Sequence, residues 1–203
     1  MTNVLDVKLE YDANLHYWVW TGEPFNKPML LTADFGEPRD NGVGFHTGMD
    51  LAPLDGQPGT EIGFQNFGAF IEWCGVYNGS RARDLNGGYG NVLDLIIGIG
   101  GRRDWKVRIA HMQGFCPAIQ SWLDSGYQPQ QKPTFGPGEG LGWQGNTGYV
   151  YGTLPDGSFG IPAGDDMVSG THTHLEVRTL SGLLVNPRVA LGMTEGRTSG
   201  LVY

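Results

Sequence analysis

The sequence predicts a mainly β protein, a single antiparallel β-sheet domain with long loops. Three observations carry that reading. Glycine supplies 34 of the 203 residues and proline 12, while charged residues make up only 17%. A helical bundle would want more Ala, Glu, Lys and Leu. Short runs rich in aromatic and β-branched residues recur along the chain, separated by turn formers.

Taken in order, Tyr17–Thr21 (YWVWT) is aromatic and β-branched and predicts a strand. Residues 69–74 (AFIEWC) form a short apolar run. Residues 91–99 (NVLDLIIGI) and 105–110 (WKVRIA) read as neighbouring strands joined by a turn at Gly100-Gly101-Arg102-Arg103-Asp104. Residues 173–179 (THLEVRT) alternate apolar and polar. Residues 78–90 and 125–140 are dense in Gly, Pro, Asn and Ser and read as loops. The helix candidate is 117–123, bounded by Pro117 and Gly126. No internal repeat or low-complexity linker is visible. The expected organisation is an N-terminal extension over 1–28, an arm or added strand, followed by one domain over 29–203.

The net charge of −8 argues against a nucleic-acid binder, which would carry a basic excess. No stretch approaches the ~18 consecutive apolar residues of a membrane span, so no membrane insertion is expected. The first ten residues carry Asp6 and Glu10 and lack a basic segment before an apolar run, which does not read as a secretory signal. Cys74 and Cys116 lack metal-ligand spacing and read as two small buried thiols.

The chemistry lies in the histidines. There are five: His16, His46, His111, His172 and His174. A lone histidine is more often a surface or core residue than a ligand. In a strand, however, His172, His174, Glu176 and Arg178 share one face, with Thr173, Leu175, Val177 and Thr179 on the other. Two imidazoles and a carboxylate in consecutive same-face positions suit a metal. His46 and Asp50 stand four apart in Phe45-His46-Thr47-Gly48-Met49-Asp50, where the glycines argue against a helix and a bend at Gly48 lets the two converge. His111 falls at the end of a predicted strand, in Ile109-Ala110-His111-Met112. These segments supply four histidines and one aspartate. Three protein ligands plus water make a catalytic zinc site, and the remaining histidines can handle protons.

The order H-x-x-x-D, a histidine after a strand, then H-x-H resembles the lysostaphin-like zinc metalloendopeptidases. The flanks are similar as well. They include Leu31-Thr32-Ala33-Asp34-Phe35-Gly36, Phe45-His46-Thr47-Gly48-Met49-Asp50-Leu51-Ala52 and Tyr89-Gly90-Asn91-Val92. Further on come the glycine-rich 138–148 (GEGLGWQGNTG), the segment 171–178 (THTHLEVR) and Val185-Asn186-Pro187. The match runs from about Leu30 to about Leu191, in the family's order.

The resemblance implies a β-sheet peptidase domain with a groove between long loops. It implies one Zn2+ ion on His46, Asp50 and His174. His111 and His172 would be the catalytic pair, activating water and stabilising the tetrahedral oxyanion. The implied substrate is the peptide part of bacterial peptidoglycan, and His16 is left as structural or surface. The alternative is a catalytically silent family member acting as a structural or wall-binding module.

Two segments depart from the family. Residues 149–170 are longer than expected and carry Tyr149, Tyr151, Phe159, Asp156, Asp165 and Asp166; they are expected to wall the groove and to meet an amine on the substrate. Residues 78–88, with Arg81 and Arg83, read as an enlarged loop. The acidic charge and the lack of a visible wall-binding module point to action at the bacterial cell wall from a phage tail, or after release at lysis. Other phage tail proteins are then expected partners.

Overall fold

Strand pairing follows the apolar runs. The computed structural model describes residues 8–39, 44–82, 85–98 and 103–191. Its strands are β1 (Lys8–Asp12), β2 (Tyr17–Thr21), β3 (Met29–Ala33), β4 (Met49–Pro53), β5 (Glu61–Gly63), β6 (Gly68–Gly75) and β7 (Asn91–Gly98). Then come β8 (Trp105–Phe115), helix α1 (Pro117–Asp124), β9 (Thr134–Phe135), β10 (Gly140–Gln144), β11 (Gly152–Thr153) and β12 (Phe159–Gly160). The last elements are β13 (Thr173–Arg178), β14 (Leu184–Val185) and helix α2 (Pro187–Ala190).

Twelve strands form one sheet, ordered β1-β2-β3-β4-β13-β8-β7-β6-β9, with β10 joining β5 to β8 and β14 on β13. Every pairing in it is antiparallel. The domain is mainly β, as the composition predicts. Trp20, Met29, Met49, Leu51, Ile62, Leu93, Leu95, Ile97, Ile109 and Leu175 are fully buried and anchor the core. Each such side chain contributes on the order of 1.5–3 kcal/mol by leaving water.

The central strands differ from a half-solvated sheet. β13 is buried at five consecutive positions, Thr173 through Val177, and only Arg178 is half-buried. Alternation alone would turn its polar face to solvent; in the fold that face lines the interior of a site. β8 runs to Phe115, five residues past the predicted end, because its second half pairs with β10. Asp104 donates its amide to the Ile97 carbonyl at 2.9 Å and closes the β7–β8 pair. Ile99 and the turn residues Gly100, Gly101 and Arg102 lie outside the described residues, as do Arg83 and the first seven residues.

Helix α1 keeps Ile119 and Trp122 inside and begins with Pro117 at its first position, where a missing amide costs nothing. The expected loop over 125–140 contains a short helical turn, Pro129–Gln131, and strand β9. The loop over 149–170 contains the small β11–β12 hairpin. Near the N-terminus, β1 and β2 form a hairpin on the edge of the sheet, with β2 paired to β3 and Leu9 and Trp20 in the core. Both cysteines are free; Cys74 is buried, but Cys116 is only half-buried, because it caps α1 near the surface. No described helix is long and apolar enough to cross a membrane.

Candidate metal and catalytic site

Three adjacent central strands bring the histidines together. His174 on β13 stands directly across from Asp50 on β4 and, on its other side, from Ala110 on β8. Cross-strand partners present their side chains on one face, so Asp50 and His174 meet. His46 arrives from the preceding segment, pinned by its amide to the Glu37 carbonyl at 2.8 Å and by the Gly36 amide to its own carbonyl at 2.9 Å.

Three ligand-type atoms then form a small triangle. His46 Nε2 lies 3.1 Å from Asp50 Oδ1 and 3.1 Å from His174 Nδ1, and His174 Nδ1 lies 2.9 Å from Asp50 Oδ1. Tetrahedral zinc with ligands at ~2.0–2.1 Å spaces them by roughly 3.3 Å, so the donor set fits.

The hydrogen bonds around the triangle fix the tautomers. His46 Nδ1 donates to the Asp34 carbonyl at 2.9 Å, which leaves a lone pair on Nε2. His174 Nε2 faces Glu176 Oε2 at 3.7 Å, and neither atom has a hydrogen-bond partner among the described residues. A carboxylate opposite Nε2 favours the proton there and leaves the lone pair on Nδ1. Two imidazole lone pairs and a carboxylate thus converge on one point, an arrangement that demands positive charge at its centre.

In the metal-free protein, protons on the imidazoles supply that positive charge. Burial alone would raise the Asp50 carboxyl, but charge on His172 and hydrogen bonds from His174 and His46 outweigh it and hold Asp50 well below the usual carboxylate range. Burial alone would lower His174, yet the carboxylates of Asp50 and Glu176 beside it raise it to about 9. Burial likewise opposes charge on Glu176, which His174, Thr47 and Arg178 together hold at about 2.

His111 sits on a bulge. Asn91 pairs with Met112 and Leu93 with Ile109, so two β8 residues, Ala110 and His111, face the single β7 residue Val92. His111 takes φ 61°, a left-handed conformation that costs a non-glycine residue about 1–2 kcal/mol. The bulge turns its ring out of the regular pleat. Its Nδ1 donates to the Thr147 carbonyl at 2.8 Å, leaving Nε2 open. Burial, then the imidazoles of His172 and His174, holds its pKa well below 6.5 and keeps the ring neutral. His172 is bridged to Gly145, and its Nδ1 donates to the Gly170 carbonyl at 2.8 Å. The His111 and His172 rings lie 4.6 Å apart, and His172 Nε2 is 4.0 Å from Asp50 Oδ1.

All five motif residues therefore meet in one place, while His16 sits exposed in the β1–β2 turn. Four of them, Asp50, His111, His172 and His174, border a groove of about 990 Å³ that is also lined by Tyr149, Tyr151 and Phe159. The acidic residues of that loop are otherwise engaged than expected. Asp156 accepts from Ser158, and Asp166 Oδ1 accepts the Val168 and Ser169 amides, so both carboxylates shape turns and neither lines the groove.

Other contributors stand in or near the motif segments but had no role read for them. Arg81 reaches the carbonyls of Asn146, Gly148, Ala163 and Asp166 and ties three loops together. Asp34 forms a buried ion pair with Arg188 on α2, which steadies the carbonyl that orients His46. Gly90 packs so closely on Thr147 that a Cβ would lie 2.4 Å from its carbonyl carbon, and this contact holds the carbonyl that orients His111. Glu176 was visible from alternation, on the same strand face as the two histidines.

The site thus belongs to a mainly β domain with a His-Asp-His cluster and a flanking pair of histidines. No protein-family model matches the chain, and no curated protein matches it. Among solved structures, it is similar to the catalytic domain of the prophage-encoded M23 protein EnpA from Enterococcus faecalis, crystallised as a point mutant. The identity is 22%, over 86% of this chain and 96% of that one, with a TM-score of 0.48.

Proposed function

We propose that the protein is a zinc-dependent endopeptidase that hydrolyses peptide bonds of bacterial peptidoglycan. The observation that carries the reading is the triangle of His46 Nε2, Asp50 Oδ1 and His174 Nδ1, with the neutral His111 beside it.

His46, Asp50 and His174 would hold the ion. Bound there, zinc supplies Lewis acidity, which activates water near neutral pH and polarises a carbonyl. His111 is the proton acceptor: its Nε2 is open, and its ring is kept neutral by burial. His172, 4.6 Å away ring to ring, presents Nε2 to the same space and would be the second member of the catalytic pair, facing the developing oxyanion. Glu176 and the Asp34 carbonyl hold the two imidazole ligands in the tautomers that binding needs. The aromatic wall over Tyr149, Tyr151 and Phe159 supplies flat surface for a peptide stem.

The setting we propose is a phage particle. With a net charge of −8, the chain has no electrostatic pull toward an anionic wall, so delivery by a larger tail assembly would bring it there. Mass spectrometry of purified particles tests that setting.

Digestion of purified muropeptides tests the activity. The expected products carry new amino and carboxyl termini, are lost on chelation and return with added zinc. Glycan cleavage in place of peptide cleavage would overturn the assignment.

A further inference from the structure

We infer that the N-terminal β1–β2 hairpin is a wall of the substrate groove and that Tyr17 on it is a specificity-determining residue. The inference rests on the peptidase reading above and deepens it. Tyr17 lines the same groove as Asp50, His111, His172 and His174. Its side chain is 51% exposed although it stands on a strand of the main sheet. An exposed tyrosine at the end of a groove offers a flat apolar face with a polar tip.

The sheet register fixes how far this face lies from the chemistry. Trp18 pairs with Leu31, which places Tyr17 at the level of Thr32. Thr32 is the extra residue in the bulge between β3 and β4, and its hydroxyl donates to the Asp50 carbonyl at 3.1 Å. Asp50 stands across from His174. Tyr17 is therefore three strand steps from His174, and at ~4.8 Å per step the separation is about 14 Å. An extended peptide advances ~3.4 Å per residue, so about four residues span it.

The floor along this path is built from short side chains, Thr32, Ala33 and Ala52, which leave a trough. The same groove is also lined by aromatic residues. Tyr151 stacks on Phe159 with ring centroids 6.1 Å apart, and its hydroxyl lies 2.9 Å from that of Tyr149. The occupant this shape fits is an extended oligopeptide reaching about four residues from the scissile bond on one side, with an apolar group at the fourth. The hairpin is also firmly anchored, since Trp20 is 0% exposed and donates its indole N–H to the Glu23 carbonyl at 3.0 Å. Tyr17 is thus presented from a rigid element.

The test compares cross-linked stem-peptide dimers with fragments carrying two residues on either side of the same bond. The Tyr17→Ala variant is expected to raise KM for the dimers about tenfold with kcat unchanged, the scale of one lost aromatic contact. The dimer-to-fragment ratio of kcat/KM should fall by the same factor. Tyr17→Phe should keep the ratio. An unchanged ratio in Tyr17→Ala overturns the inference. Dimer binding to the metal-free protein, followed by intrinsic fluorescence, separates this inference from the peptidase reading. Binding weakened by Tyr17→Ala without cleavage by the parent protein supports the groove and removes the peptidase; binding equal in both proteins removes the groove.

Discussion

Gly48 lies flat against the imidazole of His174. A Cβ at Gly48 would sit 2.9 Å from both Cε1 and Nε2 of that ring and 2.5 Å from the Leu175 carbonyl oxygen. The glycine between His46 and Asp50 therefore does more than let the chain bend. It leaves room for the ring that both of them face.

Gly48→Ala should push the His174 ring off its present position. The expected result is a loss of about 10–100-fold in zinc affinity, the size of a disturbed outer contact around a metal. Overpacking adds a stability loss of about 1–3 kcal/mol. Chelator competition measures the first and chemical denaturation the second. Unchanged affinity would show that the ring has slack that the contact distances do not allow.

His111→Ala and His172→Ala should keep the metal and lose turnover by about 10²–10⁴-fold, the usual contribution of a general acid or base. Metal content by elemental analysis is read beside the rate on muropeptides. A variant that keeps its fold but loses its metal would reassign that residue as a ligand.

Much of this site was legible in the sequence, and the reasons are local. Thr173 to Arg178 alternates, and that alternation alone places His174 and Glu176 on one face. β2 shows its aromatic and β-branched run directly, and its bounds agree with the prediction. β4 was not visible as a strand, because Met49–Pro53 is interrupted by Asp50 and ends in proline, and its position is set by β3 and β13. β10 reads as a glycine-rich loop, yet Leu141 and Gln144 are fully buried, and Gln144 Nε2 donates to the Leu51 carbonyl at 2.7 Å. The bulge at His111 leaves no mark in composition, since it arises from pairing with two partner strands at once. The ties made by Arg81 and Arg188 are long-range and carry no periodic signal.

The two thiols should respond differently to alkylation and to pH. Burial, then the charge of Asp94, pushes the Cys74 thiol up to about 12, and the side chain is 1% exposed. The half-buried Cys116 should be labelled by iodoacetamide at pH 8 while Cys74 is spared, because the thiolate is the reactive form. A thiol raised on folding binds its proton more tightly folded than unfolded. Its contribution to stability is whole below the unfolded value of ~8.5 and is lost as pH rises toward about 12. Denaturant midpoints across that range for the parent and Cys74→Ala measure it. Equal slopes in the two proteins would contradict the assignment.

The central claim is that His46, Asp50 and His174 hold zinc. Anomalous diffraction at the zinc absorption edge, from crystals of the protein grown with zinc, tests it most directly. The account predicts one strong peak bonded to His46 Nε2, an Asp50 carboxylate oxygen and His174 Nδ1, at ~2.0–2.1 Å from the two nitrogens. A peak on Cys74 or Cys116, or no peak within the triangle, would contradict it.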